Sequence, residues 1–194
     1  KSLDPNKIVA AQLVSTQLDA ESLLRAVATA FGLPVREQNK ARVLAELEAF
    51  LVSLVTRNKR ALLVVDEAQN LAPEAVEELR MLSNFQIQNR TLLQSFLVGQ
   101  PELRQLMKSS SMQQLRQRII ATYHLGPLEA DETRAYIEHR LKQVGWKGDP
   151  KLEDGLFGLI HACTGGIPRR INTLCTRALL AAFLAEKHAI GAED

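Results

Sequence analysis

The chain has 194 residues, of which 46% are hydrophobic, 24% charged and 5% aromatic. This length suffices for one sizeable core, or for a core with a small second domain. Its 24 basic and 22 acidic residues leave a formal net charge of +2, which gives no overall reason to expect binding to nucleic acid or to an anionic membrane. No apolar run approaches the roughly 20 residues that span a bilayer, and the first residues show no signal-like stretch.

The first part of the chain alternates between short apolar runs and segments with helical spacing. Asp19 is placed to cap a helix that Gly32-Leu33-Pro34 ends. The continuous apolar run of residues 61–65 predicts a strand buried on both faces, as in a parallel sheet covered by helices. The predicted strands are 8–14, 61–65, 92–98 and 119–125, and the predicted helices are 20–30, 41–56, one that begins at Pro73, 102–107 and 112–117.

Strands that alternate with helices predict right-handed crossovers and a three-layer α/β sandwich with a parallel sheet. The pattern changes after Gly126-Pro127, where three helical segments follow at about 130–144, 152–163 and 169–187, with no evident strand. We therefore expect an α/β core over residues 1–126 and a helical lid over residues 127–194. The two cysteines, Cys163 and Cys175, lie in this helical part without metal-ligand spacing, which predicts buried thiols.

Asp66 and Glu67 end the apolar run Leu62-Leu63-Val64-Val65. Carboxylates at the carboxyl edge of a buried parallel strand project into the crevice where open α/β sheets bind ligands. There an Asp can hold Mg²⁺, directly or through water, and a neighbouring Glu can orient or polarise the water that attacks a γ-phosphate. An acidic strand end can equally be only the entry to a helix, where acids are favourable, and this motif alone does not decide between the two.

Two further motifs of the first part carry polar or cationic side chains. Gln100, in Gly99-Gln100-Pro101, follows the next strand, so its amide could reach the attacking water or the γ-phosphate; an ordinary turn with an exposed Gln explains the same residues. Arg116 and Arg118 lie on a predicted surface turn. Such arginines are usually solvated, but in an assembled ring one of them can enter the neighbouring subunit's site and stabilise transition-state charge.

A fourth motif, Thr164-Gly165-Gly166-Ile167-Pro168-Arg169-Arg170, lies at the start of the last helix. The glycines permit a tight turn, and Pro168 suits the first helical position. Arg169 and Arg170 then stand at a helix start, where the macrodipole disfavours cations. A nucleotide phosphate would relieve this conflict, and a solvated pair of arginines is the alternative.

Together and in this order, the motifs resemble AAA+ ATPases of the bacterial general secretion (ExeA/GspA) type and those linked to exosortase-dependent secretion. The most specific strings are Asp66-Glu67-Ala68-Gln69-Asn70 and Gly99-Gln100-Pro101-Glu102-Leu103, and the resemblance covers essentially the whole chain. It implies a P-loop NTPase (AAA+) fold that binds ATP or ADP with Mg²⁺. The implied roles are the Walker B pair for Asp66 (metal) and Glu67 (metal and catalysis), sensor 1 for Gln100, an arginine finger for Arg118 with Arg116 as second choice, and a sensor 2 segment of Pro168, Arg169 and Arg170.

The resemblance also carries expectations about partners and location. A finger at Arg118 implies a homo-oligomer in which subunits complete each other's sites. The general secretion type implies a cytoplasmic protein that works near the inner membrane with a secretion partner there.

A P-loop needs Gly-x-x-x-x-Gly-Lys-Ser/Thr, and no Gly-Lys dipeptide occurs in the 194 residues. The family pattern places this loop and the first strand of the core upstream of Lys1. We therefore expect this polypeptide alone to bind ATP·Mg²⁺ very weakly and to turn it over negligibly. The lack of that strand predicts an exposed sheet edge or a gap between central strands.

Two other functions fit parts of the sequence. The absent P-loop favours a nucleotide-silent interaction module, although such a module has no need of Asp66, Glu67, Gln100 and Arg169 together. A DNA-associated AAA+ ATPase of the transposition-helper type could use a local patch of Arg169, Arg170 and Arg177. The near-neutral charge and the lack of a basic tract argue against nucleic acid.

Overall fold

A computed structural model of the chain describes residues 4–14, 18–35, 39–88, 90–109 and 112–193. The chain divides into two compact units, residues 1–121 and residues 122–194. The sequence pattern predicts a division after Gly126, and the assignment of the two parts as core and lid stays a prediction.

The first unit contains a three-stranded parallel sheet in the order β1-β2-β5 and a small antiparallel pair, β3-β4. The predicted helices and the first three predicted strands are confirmed to within one residue at each end, and with them the α/β class with a parallel sheet. The strands are β1 (Ile8–Val14), β2 (Arg60–Asp66), β3 (Gln86–Ile87), β4 (Arg90–Thr91) and β5 (Leu93–Leu97), and the helices are α1 (Ala20–Ala30), α2 (Lys40–Thr56), α3 (Pro73–Leu82), α4 (Pro101–Lys108) and α5 (Gln113–Arg116).

Side-chain caps begin the first two helices. Asp19 Oδ1 accepts a hydrogen bond from the Ser22 N–H at 2.8 Å, and Asn39 Oδ1 accepts one from the Arg42 N–H at 3.0 Å. The first N–H groups of a helix have no partner within the helix, so these caps stabilise the helix starts. The hydrogen bond from Ser22 also lowers the pKa of the Asp19 carboxyl from its ordinary value.

The core of the first unit lies on one face of the sheet. Alternate strand residues of this face, such as Leu63 and Val65, are fully buried in one cluster with side chains of α1, α2 and α3. On the opposite face Gln12 is exposed, and Val14 and Phe96 are 56% and 60% exposed. Within the described residues β1 and β5 are the outer strands of this sheet, and each pairs with β2 alone. The effect of a missing first strand on the sheet edge stays a prediction.

The predicted strand at residues 119–125 is wrong. The structure describes these residues without helix or strand, and Ile120, Tyr123 and Leu125 are 99%, 86% and 83% exposed. β-branched and aromatic residues favour a strand only where a neighbouring strand and a packed face receive them. The free edge of β5 does not pair with residues 119–125, so the β propensity of this segment does not produce a strand.

The described part of the second unit, up to residue 193, consists of three helices and one pair of very short strands. The three predicted helices are confirmed, with ends that shift by at most three residues. The expectation that this part holds no strand is wrong, because two two-residue strands pair in parallel, too short to show any hydrophobic periodicity. The elements are α6 (Ala130–Gln143), β6 (Lys151–Leu152), α7 (Asp154–Thr164), α8 (Pro168–Leu184) and β7 (Ala189–Ile190).

A separate apolar cluster holds the second unit together. Ile137 of α6, Phe157 and Ile160 of α7 and Ile171 of α8 are all buried in it. The hydroxyl of the fully buried Thr133 is satisfied by His161, at 3.1 Å between Oγ1 and Nδ1. Within the described ranges, no helix is long and apolar enough to cross a membrane.

The prediction of buried thiols is wrong for Cys163, which is exposed near the end of α7. Cys175 of α8 is half-buried, and burial raises the pKa of its thiol. Both thiols are free. The difference arises because Cys163 falls on the outer face of its helix, which its apolar neighbours in the sequence do not reveal.

Candidate functional site

Asp66 and Glu67 lie at the carboxyl end of β2, the central strand of the sheet. Asp66 is the last residue of β2 and pairs with Val14 of β1. Its Oδ1 accepts a hydrogen bond from the Glu67 N–H at 2.9 Å, and both side chains are half-buried. Because a carboxylate has two oxygens, Oδ2 of Asp66 keeps its capacity to bind a cation or the cation's water.

Glu67 has a left-handed backbone, with φ 52° and ψ 38°. A residue with a Cβ is uncommon in this region, and it persists where the surrounding structure holds it. Here the neighbouring backbone is held on both sides of the turn. The Ala68 N–H donates to Val98 O at 2.9 Å, and the Val98 N–H donates to Val65 O at 2.8 Å. These two bonds extend the pairing of β2 with β5 past Asp66 and direct the turn towards the end of β5.

The structure brings the side chains of Glu67 and Gln100 into contact. Gln100, the residue before α4, donates from Nε2 to Oε2 of Glu67 at 3.2 Å. Gln69 donates from its own Nε2 to the same carboxylate oxygen. Oε1 of Gln69 accepts the backbone N–H of Gln100 at 3.1 Å. One oxygen of Glu67 therefore faces two neutral amide donors.

Gly99 makes room for this arrangement. A Cβ at position 99 would lie 2.6 Å from Oε1 of Gln69, closer than a carbon and an oxygen approach without displacement. The glycine of the Gly99-Gln100-Pro101 turn is thus explained by a close side-chain approach. The role of Gln69 cannot be predicted from the sequence, because the adjacent pair Gly99-Gln100 gives no local signal of the contact.

The donors at this site suit a magnesium ion that also binds phosphate. Asp66 and Glu67 are adjacent carboxylates, and Mg²⁺ is commonly held by one or two carboxylates together with substrate phosphates and water. Among the described residues, no group of three or more His, Cys, Asp or Glu side chains could form an all-protein metal site. The residues present therefore fit Mg²⁺ bound together with a nucleotide.

The two candidate finger arginines lie elsewhere in the first unit. Arg116 ends α5 and donates from Nη1 to Met107 O at 3.3 Å. Arg118 is exposed in the turn after α5, where its N–H donates to Leu115 O at 2.9 Å. Across the described ranges, neither arginine hydrogen-bonds to Asp66, Glu67 or Gln100. Their placement on the surface is what a residue that acts on another subunit needs.

The candidate sensor 2 residues lie in the second unit at the start of α8. Pro168 occupies the first turn, as predicted from the sequence. Arg170 donates from Nη2 to Cys163 O at 3.1 Å, at the end of α7, where a positive charge is favourable. Arg169 is exposed, and no described residue forms a hydrogen bond or an ion pair with its guanidinium. Of the two arginines at this helix start, Arg169 is therefore the one with its donors open to a ligand.

The turn before these arginines is closely packed. Gly166 has φ 69°, and a Cβ there would lie 2.0 Å from Leu128 O. The Leu128 N–H donates to Gly166 O at 2.9 Å. A residue with a side chain cannot occupy this position without displacing the backbone of residue 128.

The acidic residues at the carboxyl end of the central strand lie where parallel sheets of the open α/β class bind their ligands. The family model described as AAA domain matches residues 2–107. This match covers more than half of the chain, so the chain belongs to the AAA domain family, and the resemblance to AAA+ ATPases is confirmed.

Among curated proteins, the chain is similar to General secretion pathway protein A of Aeromonas hydrophila. The two are 37% identical over 187 residues, which cover 96% of this chain and 34% of that protein. The chain thus spans about a third of the length of this relative.

Solved structures share the fold at low sequence identity. The ORC2 protein of Aeropyrum pernix, solved with ADPNP and ADP, matches 96% of this chain and 50% of its own at a TM-score of 0.68 and 18% identity. Cdc6p of Pyrobaculum aerophilum matches 93% of this chain and 50% of its own, at a TM-score of 0.63 and 18% identity. The RuvB branch migration motor of Thermotoga maritima matches 97% of this chain and 59% of its own, at a TM-score of 0.55 and 17% identity. At this identity the similarity establishes the fold alone.

Proposed function

We propose that this chain is the nucleotide-sensing body of an ATP-hydrolysing AAA+ protein, an energy-providing switch in bacterial secretion or envelope assembly. The observation that carries the proposal is the contact between Glu67 and Gln100 beside Asp66, at the carboxyl edge of a parallel sheet. The similarity to General secretion pathway protein A supports the secretion assignment. The nucleotide would be ATP or ADP with Mg²⁺.

The proposed roles follow from the groups that each residue leaves available. Oδ1 of Asp66 already accepts a backbone N–H, so Oδ2 would hold Mg²⁺ or its water, with Glu67 beside it. Oε2 of Glu67 already accepts hydrogen bonds from two amides, so Oε1 would accept a proton from the attacking water. Gln100 would sense the γ-phosphate through its amide. Bound Mg²⁺ would neutralise negative charge on the phosphate oxygens.

The remaining roles need another subunit or the second unit. Arg118, exposed after α5, would act as the arginine finger in a neighbouring subunit of a homo-oligomer, with Arg116 as the second choice. Arg169, at the start of α8, would bind nucleotide phosphate as sensor 2, with Pro168 and Arg170 shaping the helix start. In this proposal residues 1–126 form the core and residues 127–194 the lid, and the protein works in the cytoplasm near an inner-membrane secretion partner.

The 194 residues contain no Gly-Lys dipeptide, and a P-loop lysine and its backbone N–H groups supply most phosphate contacts in this class. The chain by itself should therefore have little activity. ATP turnover is accordingly measured on the full-length protein.

The experiment compares the wild-type full-length protein with Glu67→Gln. The amide cannot accept a proton, so kcat should fall by roughly 100-fold or more, while the Kd for ATP·Mg²⁺ changes little. Glu48→Gln is the matched control, because Glu48 is an exposed residue on α2, away from the site. Full turnover by Glu67→Gln would refute the role of Glu67. A wild-type protein that neither binds nor hydrolyses ATP would instead favour a nucleotide-silent interaction module.

A further inference from the structure

We propose that Gln69 is a positioning residue that fixes the Glu67 carboxylate against the Gln100 backbone and so holds Glu67 ready for the attacking water. This role rests on the proposed function, because Glu67 must take part in hydrolysis for its positioning to matter. It assigns a task to Gln69, which in the proposed function binds neither the metal nor the nucleotide and acts through Glu67.

The two ends of the Gln69 amide have different partners, and these partners decide its orientation. The carboxylate of Glu67 can only accept, so it takes the Nε2 donor. The backbone N–H of Gln100 can only donate, so it takes Oε1, at 3.1 Å. A flipped amide would lose both bonds. Gln69 therefore ties the turn after β2 to the turn after β5 in one geometry.

The link makes the position of Glu67 depend on the end of β5. Gln100 contributes its own Nε2 to the same oxygen of Glu67, at 3.2 Å. With Oε2 held between two amides, the side chain has little freedom to rotate, and Oε1 stays available to a water. Orientation of a general base to within hydrogen-bond reach of its proton is what the proposed hydrolysis requires.

Gly99 provides a test of the link that does not alter Gln69 itself. An Ala Cβ at position 99 would lie 2.6 Å from Oε1 of Gln69, at the far end of a side chain that can be displaced. Gly99→Ala should therefore push the amide away from Gln100 and release Glu67. The same Cβ would also approach Leu103, at 3.0 Å from Cδ2, and this second contact remains whether or not Gln69 is present.

The first experiment is a double-mutant cycle in this chain. Urea unfolding midpoints are compared for the wild type, Gly99→Ala, Gln69→Ala and the double variant. Because the Leu103 contact is common to both backgrounds, it cancels in the cycle. We expect Gly99→Ala to lower the midpoint more in the wild-type background than in the Gln69→Ala background. Additive shifts would show that the contact has no thermodynamic weight and would overturn the proposal.

The second experiment measures steady-state ATP turnover of the full-length protein. Gln69→Ala should lower kcat by about tenfold or more and leave the KM for ATP nearly unchanged, since the residue does not touch the nucleotide. Gln69→Glu keeps the shape and the acceptor for Gln100 but replaces the donor to Glu67 with a carboxylate. It should lose kcat as much as Gln69→Ala does. Gly99→Ala should lower kcat in the wild-type background and cause no further loss in the Gln69→Ala background.

The outcomes separate this proposal from the proposed function. If the wild type hydrolyses ATP and the kcat values of Gln69→Ala and Gln69→Glu are unchanged, the positioning role is wrong and the ATPase function stands. If the wild type does not hydrolyse ATP, both fail, although the coupling in the urea cycle would still be seen. A KM that rises while kcat stays constant would point to nucleotide binding by Gln69 and would also overturn the positioning role.

Discussion

The side chain of Gln100 donates a hydrogen bond of 3.2 Å to Oε2 of Glu67, across 33 positions of the sequence. The contact joins the turn after β2 to the turn after β5, two adjacent parallel strands whose carboxyl ends meet at one edge of the sheet.

The isolated 194-residue chain should bind ATP·Mg²⁺ with a Kd far above about 1 µM. In the proposed function Asp66, Glu67 and Gln100 would contact the metal and the γ-phosphate, but the chain has no Gly-Lys sequence to hold the remaining phosphate oxygens. Isothermal titration of the chain with ATP·Mg²⁺ measures the Kd directly. Micromolar affinity would show that the chain binds phosphate by another route.

Two replacements of Glu67 should differ in stability although both remove the carboxylate. At φ 52° the steric strain of a Cβ destabilises the fold by roughly 1–2 kcal/mol, and glycine has no such strain. Glycine loses more backbone entropy on folding, by roughly 0.5–1 kcal/mol. Glu67→Gly should therefore be at least as stable as Glu67→Ala, with a free energy of unfolding higher by up to about 1.5 kcal/mol.

Urea denaturation of the two Glu67 variants gives this difference without any assay of activity. A less stable Glu67→Gly would mean that the left-handed backbone is relaxed in the variants. The strain at position 67 would then depend on the carboxylate and its hydrogen bonds.

Gly166→Ala should destabilise the second unit by more than about 1 kcal/mol. The added Cβ would lie 2.0 Å from Leu128 O, and the φ of 69° is unfavourable for alanine. Gly158→Ala is the matched control, because Gly158 lies within α7 and a Cβ there would meet nothing within 4 Å. In a helix, alanine is favoured over glycine by roughly 0.5–1 kcal/mol, so the control should be neutral or stabilising.

Thermal unfolding followed by circular dichroism would show these opposite shifts in melting temperature. Equal shifts for Gly166→Ala and Gly158→Ala would mean that the segment at residue 128 moves away without cost. The close contact with Leu128 would then have no role in stability.

The cap at Asp19 should make stability depend on pH. The Ser22 N–H holds the pKa of this carboxyl below its usual range, so the folded state binds the proton less readily than the unfolded state. The stabilisation is fully present above the unfolded pKa and is lost as the pH falls through the lowered folded pKa.

An Asn also caps a helix but does not titrate, so the melting temperature of the wild type relative to Asp19→Asn should decrease as the medium is acidified. Other acids with a lowered pKa, such as Glu77 beside Arg80, are common to both proteins and cancel in the difference. A difference that stays constant with pH would exclude a charged cap.

The order of strands and helices in the first unit could be predicted from the sequence, because each depends on local patterns. The run before Asp66 is apolar at every position, and such a run fits the central strand of a covered parallel sheet. The carboxylates stand at the end of the β2 run and Gln100 follows β5 along the chain, and parallel strands bring those ends to one edge. The strand predicted at residues 119–125 is wrong because strand propensity does not show whether a partner strand lies next to the segment.

The sequence by itself thus determined that acidic and amide side chains share the carboxyl edge of a parallel sheet in an AAA domain. Only the tertiary structure decided which of them touch. Three features depend on how separate segments pack. They are the hydrogen bonds of Gln69 with Glu67 and Gln100, the left-handed backbone of Glu67, and the hydrogen bond from Arg170 to Cys163 O. A hydrogen bond changes with tenths of an ångström and tens of degrees, and hydrophobic periodicity carries no information at that scale.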